Sequence, residues 1–171
     1  VITFWNILTS EFPPQMGGIS DFCQVLYDAL TECGESVKIW APNLGHDQQA
    51  VKDGVDGGHL ERVPFLFRST GRTRLDAALN AQDPKSRLLV QYVPNAFGVR
   101  GMNLNMCHWL ASRRRQGYDV TLVIHEPFFY FGWLHPHRNL LALTQRYMIW
   151  ILLRGAKHVY VSTESWREKL L

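Results

Sequence analysis

Gly17-Gly18 and His125-Glu126-Pro127 are the short stretches of this sequence best suited to chemistry. The glycine pair stands just ahead of Ile19, Phe22, Cys23, Leu26 and Leu30, whose spacings of three and four mark one apolar helix face. Phosphate can approach glycine amides closely, and a helix start adds partial positive charge. A tight strand-to-helix turn accounts for the same pair, and both readings stay open. His125 ends an apolar run. An imidazole with its ordinary pKa of ~6.5 donates or accepts a hydrogen bond near neutral pH. A histidine that merely caps the strand end through backbone contacts is the alternative.

Metal chemistry finds little support. HEPFF lacks the second histidine of HExxH, and Pro127 disfavours a helical turn at Glu126. His135 and His137, on either side of Pro136, read as surface histidines more readily than as ligands, and His108 as a partly exposed helix residue. Phe128, Phe129, Tyr130, Phe131 and Trp133 could stack on a sugar or a lipid-linked acceptor, or pack their loop against the next helix. The GxGxxG fingerprint is absent, and the second strand runs into Trp40-Ala41-Pro42 with no acid for a ribose, so NAD is not expected. The absence of a GxxxxGK loop argues against a P-loop NTPase, and that of GxSxG against an α/β-hydrolase.

These residues need a scaffold, and the pattern supplies one. Strands are expected at Ile2–Leu8, Ser36–Ala41, within Leu60–Phe67, and at Arg87–Val93, Asp119–Ile124 and Lys157–Val161. Helices are expected from Ile19 to a stop at Gly34, and at Arg72–Ala81, Met102–Gln116, His137–Leu153 and Glu164–Leu171. Ser20 or Gly18 could cap the first helix, and Thr163 the last. Pro42–Gly58 and Pro94–Gly101 read as loops. Arg113-Arg114-Arg115 closes a helix and reads as a solvated cap on the negative end of its dipole. Strands alternating with helices predict an α/β, Rossmann-like doubly wound sheet of about six parallel strands, in the order 3-2-1-4-5-6. Ligands of such sheets bind beyond the carboxyl ends of the strands. Here Ser10–Gly18, Pro94–Gly101 and His125–Gly132 would converge there.

Composition agrees. The chain has 171 residues, 46% hydrophobic and 19% charged, as a globular domain has and a disordered or fibrous chain has not. The whole of 1–171 reads as one domain. A net charge of +3, thinly spread, argues against nucleic-acid binding. Cys23, Cys33 and Cys107 form neither CxxC nor a zinc spacing and read as reduced thiols of a cytoplasmic protein. The longest strictly apolar run, Met148–Leu153, is far short of the ~20 residues of a membrane span.

The segment LTSEFPPQMGGIS, Leu8 to Ser20, resembles the opening of glycosyltransferase family 4, in the GT-B class. Gln91–Gly98 with Gly101-Met102-Asn103 resembles the fourth-strand loop of some members. Val123–Pro127 resembles their strand-five end, and Gly155–Thr163 the last strand before the hinge to a second domain. The likeness implies the N-terminal, acceptor-side half of a two-domain enzyme whose other, nucleotide-sugar-binding domain is not in this chain. It implies retaining transfer from a nucleotide-diphosphate sugar, with no cofactor or metal, to a sugar, lipid-linked or small-molecule acceptor. It places Gly17 and Gly18 near the donor diphosphate, His125 near the anomeric centre, and Glu11, Asn95 and Glu126 toward the acceptor. The fragment alone would be inactive. A free-standing binding or regulatory module of the same fold is the alternative. Family members that act at membranes suggest that Trp133, Tyr147 and Trp150, with Arg138, Arg146 and Arg154, could form an interfacial face. Packing of Leu141, Met148, Ile149 and Leu152 on the sheet is the preferred reading of that helix.

Overall fold

The expected apolar runs pair into one parallel sheet. The structure, a computed structural model, describes residues 4–43, 59–82, 86–98, 100–132 and 136–170. The strands are β1 (Phe4–Leu8), β2 (Ser36–Pro42), β3 (Leu60–Val63), β4 (Arg87–Tyr92), β5 (Asp119–Ile124) and β6 (His158–Val161). They lie in the order β3-β2-β1-β4-β5-β6, all parallel, as the alternating pattern predicts. Between them run α1 (Gly18–Glu32), α2 (Ser69–Asn80), α3 (Pro94–Phe97), α4 (Leu104–Arg115) and α5 (Pro136–Gly155), and α6 (Glu164–Leu170) follows β6. Crossovers put helices on both faces, a Rossmann-like doubly wound arrangement.

Strand alternation sorts the core. Leu8, Leu88, Val90, Val120 and Leu122 face one side, where they pack with Leu79, Met106, Leu110, Met148 and Leu152 of α2, α4 and α5. Ile7, Ile39, Leu89 and Val123 face the other, where they meet Cys23 and Leu26 of α1. Met148, Ile149 and Leu152 thus pack toward the sheet as expected, while Leu141 is half-buried.

Helix ends differ from the sequence reading in instructive ways. The N-cap of α1 is Gly17, without a side-chain cap, and Ser20 is wholly buried instead. Its C-terminus closes as expected at Gly34, whose φ of 78° suits glycine; Gly34 N–H donates to Thr31 O and Glu35 N–H to Leu30 O. Helix α2 begins a turn before Arg72, at Ser69. The expected loop Pro94–Gly101 holds the one-turn α3, with proline in its first turn. Asn103 caps α4 by accepting from Met106 N–H at 3.0 Å.

The arginine cluster needs correction. Arg115 is exposed and Arg114 half-buried, but Arg113 is buried. Its guanidinium meets the Asp76 carboxylate and donates to Asn80 Oδ1 at 2.7 Å. Asp76 also accepts from Trp109 Nε1. Arg113 therefore joins α4 to α2 rather than serving only as a solvated cap.

The three cysteines are free, with Cys23 and Cys107 buried and Cys33 exposed. No described helix is long and apolar enough to cross a membrane. The loop expected at Pro42–Gly58 lies mostly outside the described residues, as do Trp133, His135 and the side chains of His137 and Arg138.

Candidate functional site

Parallel strands deliver every following loop to the same end of the sheet. Glu11, Gly17, Gly18, Asn95, His125 and Glu126 therefore all stand at the carboxyl rim. The order of the strands reverses between β1 and β4, the point at which doubly wound sheets commonly bind their ligands.

His125 continues β5, its N–H donating to Tyr92 O at 3.1 Å and its carbonyl accepting from Ser162 Oγ at 3.0 Å. The ring is half-buried. Its Nε2 lies 2.6 Å from Gln91 Oε1, and Phe22 of α1 meets it edge-on at a centroid distance of 5.1 Å. With Gln91 Oε1 as acceptor, Nε2 carries the proton and Nδ1 is left to accept. Burial holds the imidazole pKa below its ordinary value, and the exposed Glu126 carboxylate pulls the other way. The ring is thus neutral at neutral pH, able to donate or accept but poorly suited to carry charge. Backbone capping and side-chain placement coexist at this residue.

Glu11 follows β1, where Thr9 Oγ1 donates to Glu11 O at 2.8 Å and orders the turn. The Glu11 carboxylate lies against Gly17, where a side chain on that glycine would stand. It therefore occupies the anion-favouring start of α1, and a phosphate arriving there would displace it. Gly18 is exposed, and a Cβ there would meet nothing within 4 Å. Of the glycine pair, Glu11 thus lies against Gly17 alone. Asn95 is exposed on α3, its Oδ1 beside Gly101, and has no described contact with His125 or Glu11. The structure brings together the start of α1 and the end of β5, through Phe22 and His125, and leaves Asn95 on a separate loop.

Three side chains to which the sequence reading gave no role hold these loops. Arg62 of β3 donates to Phe12 O (3.0 Å), Pro13 O (2.8 Å) and Pro42 O (3.1 Å). Asn103 Nδ2 donates to Phe67 O (2.7 Å) and Phe97 O (2.8 Å). Gln145 of α5, fully buried, accepts from Phe129 N–H (2.7 Å) and reaches Gly101 O with its Nε2 (3.5 Å). One signal for Gln145 was available: it sits three and four residues before Met148 and Ile149, inside an otherwise apolar face. The aromatic loop packs against α5, with Arg146 4.1 Å from the ring centroids of both Phe128 and Phe131, while Tyr130 and Phe131 remain exposed.

Among the described residues two cavities stand out, one at the rim and one along a face of the sheet. One of about 590 Å³ opens between the loops after β3 and β4, lined by Phe65, Phe67, Ala96, Phe97, Met102 and Asn103 among others. The other, about 650 Å³, runs beside α1 over the sheet and is lined by Phe22, Leu26, Leu89, Val123 and Tyr160 among others. Buried Ser10 Oγ, Ser20 Oγ and Gln91 Nε2 have no hydrogen-bond partner among the described residues. Trp5 Nε1, Ser86 Oγ and Asp119 Oδ1, at the opposite end of the sheet, likewise have no hydrogen-bond partner among the described residues. No group of three or more His, Cys, Asp or Glu among the described residues is arranged to hold a metal ion. No protein-family model matches the chain, and no curated protein matches it.

Proposed function

We propose that this chain is the acceptor-side half of a retaining glycosyltransferase, working in the cytoplasm with a second domain that grips a nucleotide-diphosphate sugar. The observation that carries the reading is the contact of Phe22, one turn after the glycine start of α1, with His125 at the carboxyl rim of the sheet. Gly17 and Gly18 give the donor diphosphate access to the α1 amides, Glu11 yielding its place. A retaining transfer develops positive charge at the sugar while the diphosphate leaves, so the groups that hold the sugar in that geometry set the rate. His125 serves as a neutral partner for a sugar hydroxyl, its ring fixed by Gln91 and Phe22. Asn95 and Glu126 hold acceptor hydroxyls, and the cavity between the β3 and β4 loops takes the acceptor's less polar part. The chemistry calls for no cofactor or metal beyond the donor itself.

Gly18→Ala and His125→Ala test this in the enzyme carrying both domains. Gly18→Ala meets open space at a helix start, so the thermal midpoint should hold or rise slightly. Its activity should still fall, because a methyl group stands where phosphate approaches. His125→Ala should lower kcat by ~10²-fold, the scale for a positioned polar group. Near-normal kcat in both folded variants would sink the reading. Nucleotide binding without turnover of any nucleotide sugar would assign the chain to a binding module instead.

A further inference from the structure

Most polar side chains around the cavity between the β3 and β4 loops are already committed. Asn103 donates through its amide to Phe67 O and Phe97 O and accepts from Met106 N–H. Asn105 Oδ1 is taken by the buried Arg72. A sugar ring needs several free donors and acceptors for its hydroxyls. Phe65, Phe67, Phe97 and Met102 wall this space instead, and its volume of about 590 Å³ suits a small molecule with an apolar body. The uncommitted polar groups are chain neighbours: the Arg68 guanidinium and the Ser69 hydroxyl, where α2 begins.

Charge narrows the ligand further. Apart from Pro42, the described lining residues come from two stretches, 62–75 and 87–118, that hold no Asp or Glu. Arg68 has no carboxylate partner among the described residues. Phe65 stands beside it in an uncommon state. Its φ is 53°, in the left-handed region that bulky residues rarely enter, and its ring is 48% exposed, 5.1 Å from the Arg68 guanidinium. The loop is held in that shape: Arg68 N–H donates to Phe65 O at 2.7 Å, and Gly71 lets α2 pack directly on the Phe65 carbonyl. An aromatic ring kept half-exposed by a strained backbone, beside a cation without an acid, is set to meet a ligand. We infer that this cavity binds a small molecule with an aromatic or other apolar body and one carboxylate or phosphate group, the body among the phenylalanines and the anion on Arg68 and Ser69. That such a molecule is the acceptor rests on the reading above; that it binds here does not.

An NMR titration of the 171-residue chain with naphthyl phosphate, naphthoate, naphthol and inorganic phosphate tests it. At least one of the two anionic aromatic probes should bind saturably, at ~1 mM or tighter. Naphthol and inorganic phosphate, each carrying half of the recognition, should bind ~10-fold more weakly or worse. The tighter of the two anionic probes tells phosphate from carboxylate as the natural group. Arg68 and Phe65 are exposed, so their variants should keep the circular dichroism spectrum. Arg68→Gln should weaken the anionic probes by ~10-fold and leave naphthol unchanged. Phe65→Ala should weaken every aromatic probe by about fivefold. No saturable binding of either anionic probe, naphthol binding as tightly as they do, or undiminished anion binding by folded Arg68→Gln would overturn the inference. Each of these readings is made on the chain alone, so it stands or falls apart from sugar transfer by a two-domain enzyme.

Discussion

Leu88 and Leu89 are neighbours on β4 that live in different surroundings. Leu88, wholly buried, packs in the cluster that α2, α4 and α5 share with the sheet. Leu89, on the opposite face, belongs to the smaller cluster under α1 and lines the 650 Å³ cavity beside that helix. One face is filled by three helices and carries the core. The other is covered by one helix among the described residues, and at its carboxyl end come the polar groups Thr9, Gln91 and His125. Cohesion is concentrated on one side of the sheet, and the groups able to handle a polar ligand on the other.

The same leucine-to-alanine change on each face should separate them most. Leu88→Ala should cost ~4 kcal/mol, because the filled face cannot collapse around the void, and Leu89→Ala ~2 kcal/mol, because its void merges with an existing cavity. Urea unfolding of the two variants measures this, and equal losses would erase the distinction between the faces. Next in size is the polar island inside the filled side. Asp76→Asn removes the carboxylate that Arg113 needs and leaves the nearby buried Arg72 without its closest compensating charge. A loss of ~2–3 kcal/mol is expected, less than for a fully buried pair because Asp76 is 33% exposed. A thermal melt showing under ~0.5 kcal/mol would make it an ordinary surface pair.

The sequence made the sheet legible and the ties between its loops illegible. Asp119–Ile124 was readable residue for residue because an apolar run is bounded by Gly117 on one side and His125-Glu126-Pro127 on the other. The first turn of α2 was hidden because Ser69, Thr70 and Gly71 are poor helix formers. Gly71 is there for a tertiary reason: a Cβ would run into the carbonyls of Pro64 and Phe65. At the rim, His125 and the glycine pair were recognisable from residue type and position. Arg62, Asn103 and Gln145 were not, since each bonds backbone carbonyls or amides of loops distant along the chain. Periodicity reports which way a side chain faces, not which far-off loop it will hold. Arg113 misled for the same reason: its place near a helix end was clear, but Asp76 across the helix pair was not.

The smallest expected effect sharpens the comparison from the open face. Burial lowers the His125 pKa, while Glu126 raises it less. The unfolded chain therefore takes up the proton more readily. Stability from the neutral ring is full above its unfolded pKa of ~6.5 and is lost as pH falls through that value toward the folded one. Urea midpoints should drop between neutral and mildly acidic pH, and drop less in His125→Gln. An identical decline in the variant would mean that other groups carry it.

The buried thiols have a consequence for how the molecule meets electrophiles. Burial raises Cys23 and Cys107 to about 12, far above the ordinary thiol range, so both stay protonated. Only a thiolate attacks alkylating or oxidising reagents readily, and neither sulfur is open to solvent. Cys33, exposed where α1 ends, is then the native chain's one chemically available thiol among three. A probe attached there sits at the end of α1 away from Gly17, and modification of the other two reports that a face of the sheet has opened.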